Sequence, residues 1–406
     1  MALTLARPEI ISLAAGFTDS ESLPVRETRE IVRELLSNPA KGRPSLQYGV
    51  TPGDPTLREL TAQRLRRLDK AGERSSAHHP KRVMISGGSQ QILYMVTEAL
   101  CDPGDIVLVE DPTYFVYLGI LQSHGIKARG IKLNREGLDL DHLRRTLERL
   151  KRTGAIRRLK MLYLVSYFHN PTGLTMSLEQ KSKAVALLRQ YERAAGHPIY
   201  LLEDAAYREL RFRGEEVSSA LTVRGAASRV IYAGTYSKPF ASGVRVGFGV
   251  VPEPLFTTVV RIKGNHDFGT ATLTQHILMK ALSRGVYAAH LARLHRRYAS
   301  KSSAMLKAFQ QHMPPEVEWW TPDGGLYFWV QLPRGIAAGQ HSRVFRDAVR
   351  ANVLYVPGEL CYAKDSARRI PTNEMRVSFG GAKLKDIPEG VARLGKVLKR
   401  IVGSNN

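Results

Sequence analysis

Lys238 closes the run Gly234-Thr235-Tyr236-Ser237-Lys238, directly after an apolar stretch from Val230 to Gly234. A lone lysine is ordinarily a solvated surface residue. This one ends a β-rich run and precedes a glycine-containing loop that closes on Arg245. Side chains at the end of a buried parallel strand face the ligand crevice. A primary amine held there can condense with an aldehyde cofactor.

Four further clusters supply the partners such chemistry needs. Asp204 ends the apolar run Ile199 to Asp204, with Tyr207 three residues on. A carboxylate there could simply cap a helix. Beside the ring nitrogen of a pyridine cofactor, an ionised Asp204 would keep that nitrogen protonated, and Tyr207 could donate to a ring oxygen. His169-Asn170-Pro171-Thr172-Gly173 follows the run Lys160 to Ser166. It is loop-forming by composition, and the Asn170 amide could reach the same ring oxygen. Ser86-Gly87-Gly88-Ser89-Gln90-Gln91 lies between a strand and an amphipathic helix. Glycines permit close approach, and the helix start presents free N–H groups to an anion. Gly-rich turns of this kind are common, so Gly88, Ser89 and Gln90 gain meaning only with Thr235, Ser237 and Arg245 as further phosphate partners. Arg376, in Met375-Arg376-Val377-Ser378-Phe379, offers a bidentate guanidinium suited to an α-carboxylate.

These residues must be positioned by an α/β scaffold. Apolar, β-rich runs read as strands over Arg82 to Ser86, Ile106 to Glu110, Lys127 to Leu133, Lys160 to Ser166, Ile199 to Asp204, Val230 to Gly234 and Val246 to Val251. Several are continuously apolar, as strands buried on both faces should be. Amphipathic helices fill the gaps, among them Ser89 to Leu100, Leu138 to Leu150 and Leu178 to Arg193. The alternation predicts a seven-stranded, mostly parallel sheet. From about Tyr287 the texture changes to a long charged helix through Leu291 to His312. Short strands at Val317 to Trp320, Leu326 to Gln331 and Met375 to Phe379 and a helix from Ile387 to Val402 follow. The expected division is an N-terminal segment 1–45 that packs with the small domain and the site, a large domain 46–287, and a smaller α+β domain 288–406.

Composition narrows the setting. Hydrophobic residues make up 43% of the 406, as in ordinary globular enzymes. No apolar run is long enough to span a membrane, and the start lacks a signal-peptide pattern, so a cytoplasmic protein is expected. Two cysteines outside any CxxC pair make a metal site unexpected. The net charge of +23 is spread along the chain rather than clustered. It reads as a solvated basic surface that can concentrate carboxylate substrates, and nucleic acid is not an expected partner.

Taken in order along the chain, the clusters resemble the aspartate-aminotransferase superfamily of pyridoxal 5′-phosphate (PLP) enzymes, fold type I. The branch with α-aminoadipate, kynurenine and broad-specificity aromatic or branched-chain aminotransferases is the nearest in look. The resemblance runs from Ile11-Ser12-Leu13-Ala14-Ala15-Gly16 to Arg376. It implies PLP on Lys238 as a Schiff base, and amino acids and 2-oxo acids as substrates. Tyr114, in Asp111-Pro112-Thr113-Tyr114, would stack on the ring, and Gly16 would meet the substrate. It also implies a homodimer in which Tyr48, in Leu46-Gln47-Tyr48-Gly49, reaches the neighbour's phosphate and Asn265-His266-Asp267 lies at the neighbour's rim. Two features depart from or exceed the pattern. The loop before Arg245 reads Ala241-Ser242-Gly243-Val244 where the family commonly has Pro-Gly. No winged-helix segment precedes the PLP region, which argues against the related regulators. Transamination is the expected chemistry; oxidation, β-elimination and decarboxylation use the same scaffold and stay open from sequence, as does the particular amino acid.

Overall fold

The computed structural model describes residues 7–365 and 368–403; the first six residues of the expected N-terminal segment lie outside this range. Runs dense in Val, Ile and Leu form strands buried on both faces: every residue of Ile106–Asp111 and of Val230–Thr235 is buried. Across the large sheet the order is Val83–Ser86, Gly247–Val250, Val230–Thr235, Tyr200–Asp204, Leu159–Val165, Ile106–Asp111, Lys127–Asn134 and Gly137–Leu138. The five strands from Val230–Thr235 to Lys127–Asn134 pair in parallel. Gly247–Val250 runs antiparallel to both its neighbours. The seven strands expected from sequence are all present. The eighth, Gly137–Leu138, is a two-residue hairpin return on Lys127–Asn134, too short to leave a periodic signal.

Helices Ser89–Leu100, Leu140–Arg152 and Leu178–Ala195 join these strands and bury their apolar faces. Parallel strands need such crossovers. Their directions put the carboxyl ends of the parallel strands on one side of the sheet, followed by the loops that carry Tyr114, Asn170, Tyr207 and Lys238.

A second sheet of four antiparallel strands lies in the C-terminal part, in the order Glu318–Trp320, Tyr327–Gln331, Glu374–Ser378 and Val356–Pro357. The long helix Val286–His312 packs against Ile387–Gly403 beside it. The N-terminal segment joins the two parts. Ile11–Ser12 pairs in parallel with Val353–Leu354, and the Leu13 carbonyl accepts the Ser378 N–H at 2.7 Å. Its first helix, Val25–Leu35, is tied to Lys280 of the helix Thr272–Ser283 by Glu34 at 3.1 Å.

The strand that ends in Asp204 is anchored from its other face. Glu203 forms an ion pair with Lys181 at 2.9 Å, both side chains fully buried. Lys181 Nζ also donates to the Ser218 carbonyl at 3.1 Å and lies 3.9 Å from the Tyr167 ring centre. Removing one member of such a buried pair leaves an uncompensated charge and costs about 3–5 kcal/mol. Lys181→Met is therefore expected to lower the thermal midpoint clearly; a midpoint equal to that of the parent would show that the pair does not anchor this strand.

Candidate active site

The strand ends and the loops after them converge on a cavity of about 280 Å³. Gly16, Gly88, Ser89, Gln90, Tyr114, Asn170, Asp204, Tyr207, Thr235, Ser237, Lys238, Arg245 and Arg376 all line it. Of the residues read from sequence as cofactor or substrate contacts, Tyr48 alone stands apart. It is 81% exposed, and its ring meets the exposed Phe268 edge-on at 5.3 Å.

Lys238 follows the strand Val230–Thr235 across a two-residue step and turns its Nζ inward, to 2.7 Å from the Gly16 carbonyl. Burial, and after it the nearby Arg376 and Arg245 guanidiniums, bring its pKa down to about 8. An amine in this range is a competent nucleophile and base near neutral pH.

Asp204 is buried at its strand end. The Tyr163 hydroxyl donates to its Oδ2 at 2.9 Å and the Ala206 N–H to its Oδ1 at 3.1 Å. Burial outweighs these donors and pushes the carboxyl up to about 6. Asp204 forms no ion pair among the described residues. Arg376, buried on Glu374–Ser378, donates through Nη1 to Asn170 Oδ1 at 2.7 Å and through Nη2 to the Ala14 carbonyl at 2.8 Å. Its Nε is buried with no hydrogen-bond partner. The Asn170 amide in turn meets the Tyr207 hydroxyl at 3.4 Å, which bonds to the Tyr327 hydroxyl at 2.8 Å.

Opposite these groups, Gly88 precedes the helix Ser89–Leu100 with φ of 109°, and no side chain caps that helix. A Cβ at Gly88 would stand 2.7 Å from Arg245 Nη2, so the cradle needs glycine on both steric and backbone grounds. Arg245 donates to Ser237 Oγ at 3.3 Å and to the Gly87 carbonyl at 3.0 Å. The loop before it is a short 3₁₀ turn, Ser242–Val244, which leaves Arg245 itself in the left-handed region with φ of 50°. Such a conformation costs a non-glycine residue about 1–2 kcal/mol, so contacts of the guanidinium must offset it.

The donor set fits PLP. A buried carboxylate without a cation suits the protonated ring nitrogen. The Asn170–Tyr207 pair suits the ring oxygen, and the uncapped helix start with Ser237 and Arg245 suits the phosphate. The amine of Lys238 suits the aldehyde.

Sequence reasoning missed three contributors. Tyr163 lies mid-strand in Leu159–Val165 and reads as core. Tyr327 packs its ring 4.3 Å from the Arg376 guanidinium carbon, and Phe115 lies at 5.5 Å. Only adjacency to Tyr114 could have flagged Phe115; nothing local marks Tyr327. His266 and Asp267 have local partners: His266 meets Glu98 at 3.0 Å, and Asp267 is held by the buried Lys263 at 2.8 Å and by Gln91 at 2.8 Å.

Residues 8–394 match the family model described as "Aminotransferase class I and II". An aromatic-amino-acid aminotransferase from Thermococcus litoralis is 34% identical, over 96% of this chain and 88% of its own length. Among solved structures, a kynurenine aminotransferase from Pyrococcus horikoshii superposes with a TM-score of 0.89 at 31% identity, covering 99% of this chain and 94% of that one. An α-aminoadipate aminotransferase from Thermus thermophilus, complexed with N-(5′-phosphopyridoxyl)-L-leucine, gives 0.84 at 30% identity, covering 98% and 94%.

Two outcomes follow from the geometry. Ammonium is unreactive, so PLP uptake by the cofactor-free protein should accelerate as pH rises toward about 8 and level off above it. A rate still climbing through the ordinary lysine range, about 10.4, would mean that Lys238 is unperturbed or is not the acceptor. Gly88→Ala should weaken PLP retention by at least about tenfold, the equivalent of one lost charge-assisted hydrogen bond. Equilibrium dialysis would read this, and parental retention would remove Gly88 from the phosphate cradle.

Proposed function

The chain belongs to the class I and II aminotransferases and is a PLP-dependent aminotransferase; within that activity we propose that Lys238 is its catalytic residue and that the cavity around it assigns the remaining roles. Bound PLP supplies the carbonyl that takes the amino group and a ring that draws electrons from the substrate Cα. The convergence of an amine, a buried carboxylate, an uncapped helix start and a half-satisfied arginine on one cavity carries the reading.

In this account Asp204 would hold the ring nitrogen, with its charge restored by that cation. Asn170 and Tyr207 would hold the ring oxygen, and Tyr114 would cover the ring face. Gly88, Ser89, Gln90, Thr235, Ser237 and Arg245 would hold the phosphate. Arg376 would clamp the substrate α-carboxylate through N–H groups that its bonds to Asn170 and Ala14 leave unused. Gly16 shapes the substrate side of the cavity, because a Cβ there would come within 2.5 Å of the Tyr327 hydroxyl. Lys238, with its amine freed, would take the proton from the substrate Cα and return it to the cofactor carbon. The Gly16 carbonyl orients Nζ at 2.7 Å.

We also read the enzyme as a cytoplasmic homodimer with shared sites. The exposed apolar group Leu46, Tyr48, Val50 and Phe268 supports a subunit contact at which Tyr48 reaches the neighbour's phosphate. No helix among the described residues is long and apolar enough to cross a membrane. Division into a large domain 46–287 and a small domain 288–406 is supported by the eight-stranded and four-stranded sheets lying one in each, with the described part of segment 1–45, residues 7–45, touching both.

Lys238→Ala should abolish turnover and the visible absorbance of lysine-bound PLP, while the parent in a single turnover converts one equivalent of amino acid to 2-oxo acid. Normal transamination by Lys238→Ala would refute the assignment.

A further inference from the structure

The reaction cavity is small. About 280 Å³ lies at the low end of ligand pockets, which run from about 300 to 1,000 Å³. A cofactor and the α-amino acid core leave little of it for a large side chain. A second cavity of about 800 Å³ adjoins it and shares Gly16, Phe17, Phe115 and Arg376 as a common wall. Gly16 presents its carbonyl to the Lys238 amine, so the junction sits beside the atom at which the substrate reacts. Phe17 and Phe115 flank that junction, and Phe17 is 52% exposed.

The floor beyond the junction is apolar, made by Ile10, Ile11, Ala14, Leu354, Val356 and Ala382. Its rim carries Lys383 and Arg393 against Glu9, Asp386 and Glu389. Arg393 is already engaged by Glu389 at 2.8 Å and by the Asn352 carbonyl at 3.2 Å. Lys383 is exposed at the edge, where charge pairing is weak. In the reaction cavity the cations are Lys238, Arg245 and Arg376, each with a task in the reading above. Among the described residues, then, a distal carboxylate meets no buried, disengaged cation, whereas a ring or an alkyl chain meets an apolar floor.

We propose that the second cavity is the distal side-chain subsite, and that the substrates are uncharged amino acids with long apolar or aryl side chains rather than dicarboxylic ones. This rests on Arg376 taking the α-carboxylate, which orients the side chain across the Phe17–Phe115 junction.

The PLP-loaded enzyme can be titrated calorimetrically with carboxylic acids that lack an amino group. 5-Phenylpentanoate should bind about tenfold more tightly than 3-phenylpropanoate, the gain expected from burying two further methylenes, and more tightly than adipate. Ala15→Phe narrows the second cavity from a position that does not line the first. It should lower the ratio of kcat/KM for 2-amino-5-phenylpentanoate over alanine at least tenfold. Adipate binding as tightly as 5-phenylpentanoate, or an unchanged ratio in a folded Ala15→Phe protein, overturns the proposal. Should Ala15→Phe not fold, the three parental titrations decide alone. Loss of transamination with every donor alongside the expected binding order would count against the proposed chemistry and leave the subsite standing.

Discussion

An amine that must act as a nucleophile near neutral pH cannot be an ordinary solvated ammonium. That constraint governs this structure. Lys238 is brought to about 8 by burial and by two guanidiniums, Arg376 and Arg245. The same arrangement leaves three cations around one small cavity, with Asp204 as the carboxylate among its lining residues. Such a site is short of negative charge. A phosphate beside Arg245 and a carboxylate beside Arg376 would each supply it, so the feature that activates the amine also selects the anions that accompany it.

Asp204 meets the complementary requirement. Left with only Tyr163 and the Ala206 N–H, its carboxyl is pushed up to about 6 by burial. A cation at the ring nitrogen would reverse that shift, and the carboxylate would in turn keep that nitrogen protonated. The strand that carries it cannot drift, because Glu203 locks the opposite face to Lys181. The N-terminal segment has a comparable double duty. Its Ala14 carbonyl orients Arg376 and its Gly16 carbonyl orients Lys238, so one extended stretch sets the distance between the substrate's carboxylate and the amine that works on its Cα.

Much of this could be read in the sequence because the chemistry sits where the pattern ends. The run Val230 to Gly234 announces a buried strand, and Lys238 lies just past it; Asn170 follows the strand Leu159–Val165 in the same way, and Asp204 is the last residue of its own. Buried parallel strands leave long apolar signals, so their bounds fell within a residue or two of those observed. Short pairings such as Ile11–Ser12 with Val353–Leu354 have no period to detect. The helices Val25–Leu35 and Pro39–Leu46 hide in a stretch whose prolines and glycine read as punctuation. Tyr163 and Tyr327 were not legible because an aromatic residue inside a strand looks like core, and only tertiary packing turns their hydroxyls toward Asp204 and Tyr207. The second cavity is likewise a product of packing between distant segments and has no local signature.

The claim on which the rest depends is that the Lys238 amine, and no other lysine, carries the cofactor. Borohydride reduction of the PLP-loaded protein fixes the carbon–nitrogen bond, and peptide mass mapping then locates it. The phosphopyridoxyl mass is expected on the peptide containing Lys238 at one equivalent per chain; the label on a different lysine, or none on this peptide, would contradict the assignment.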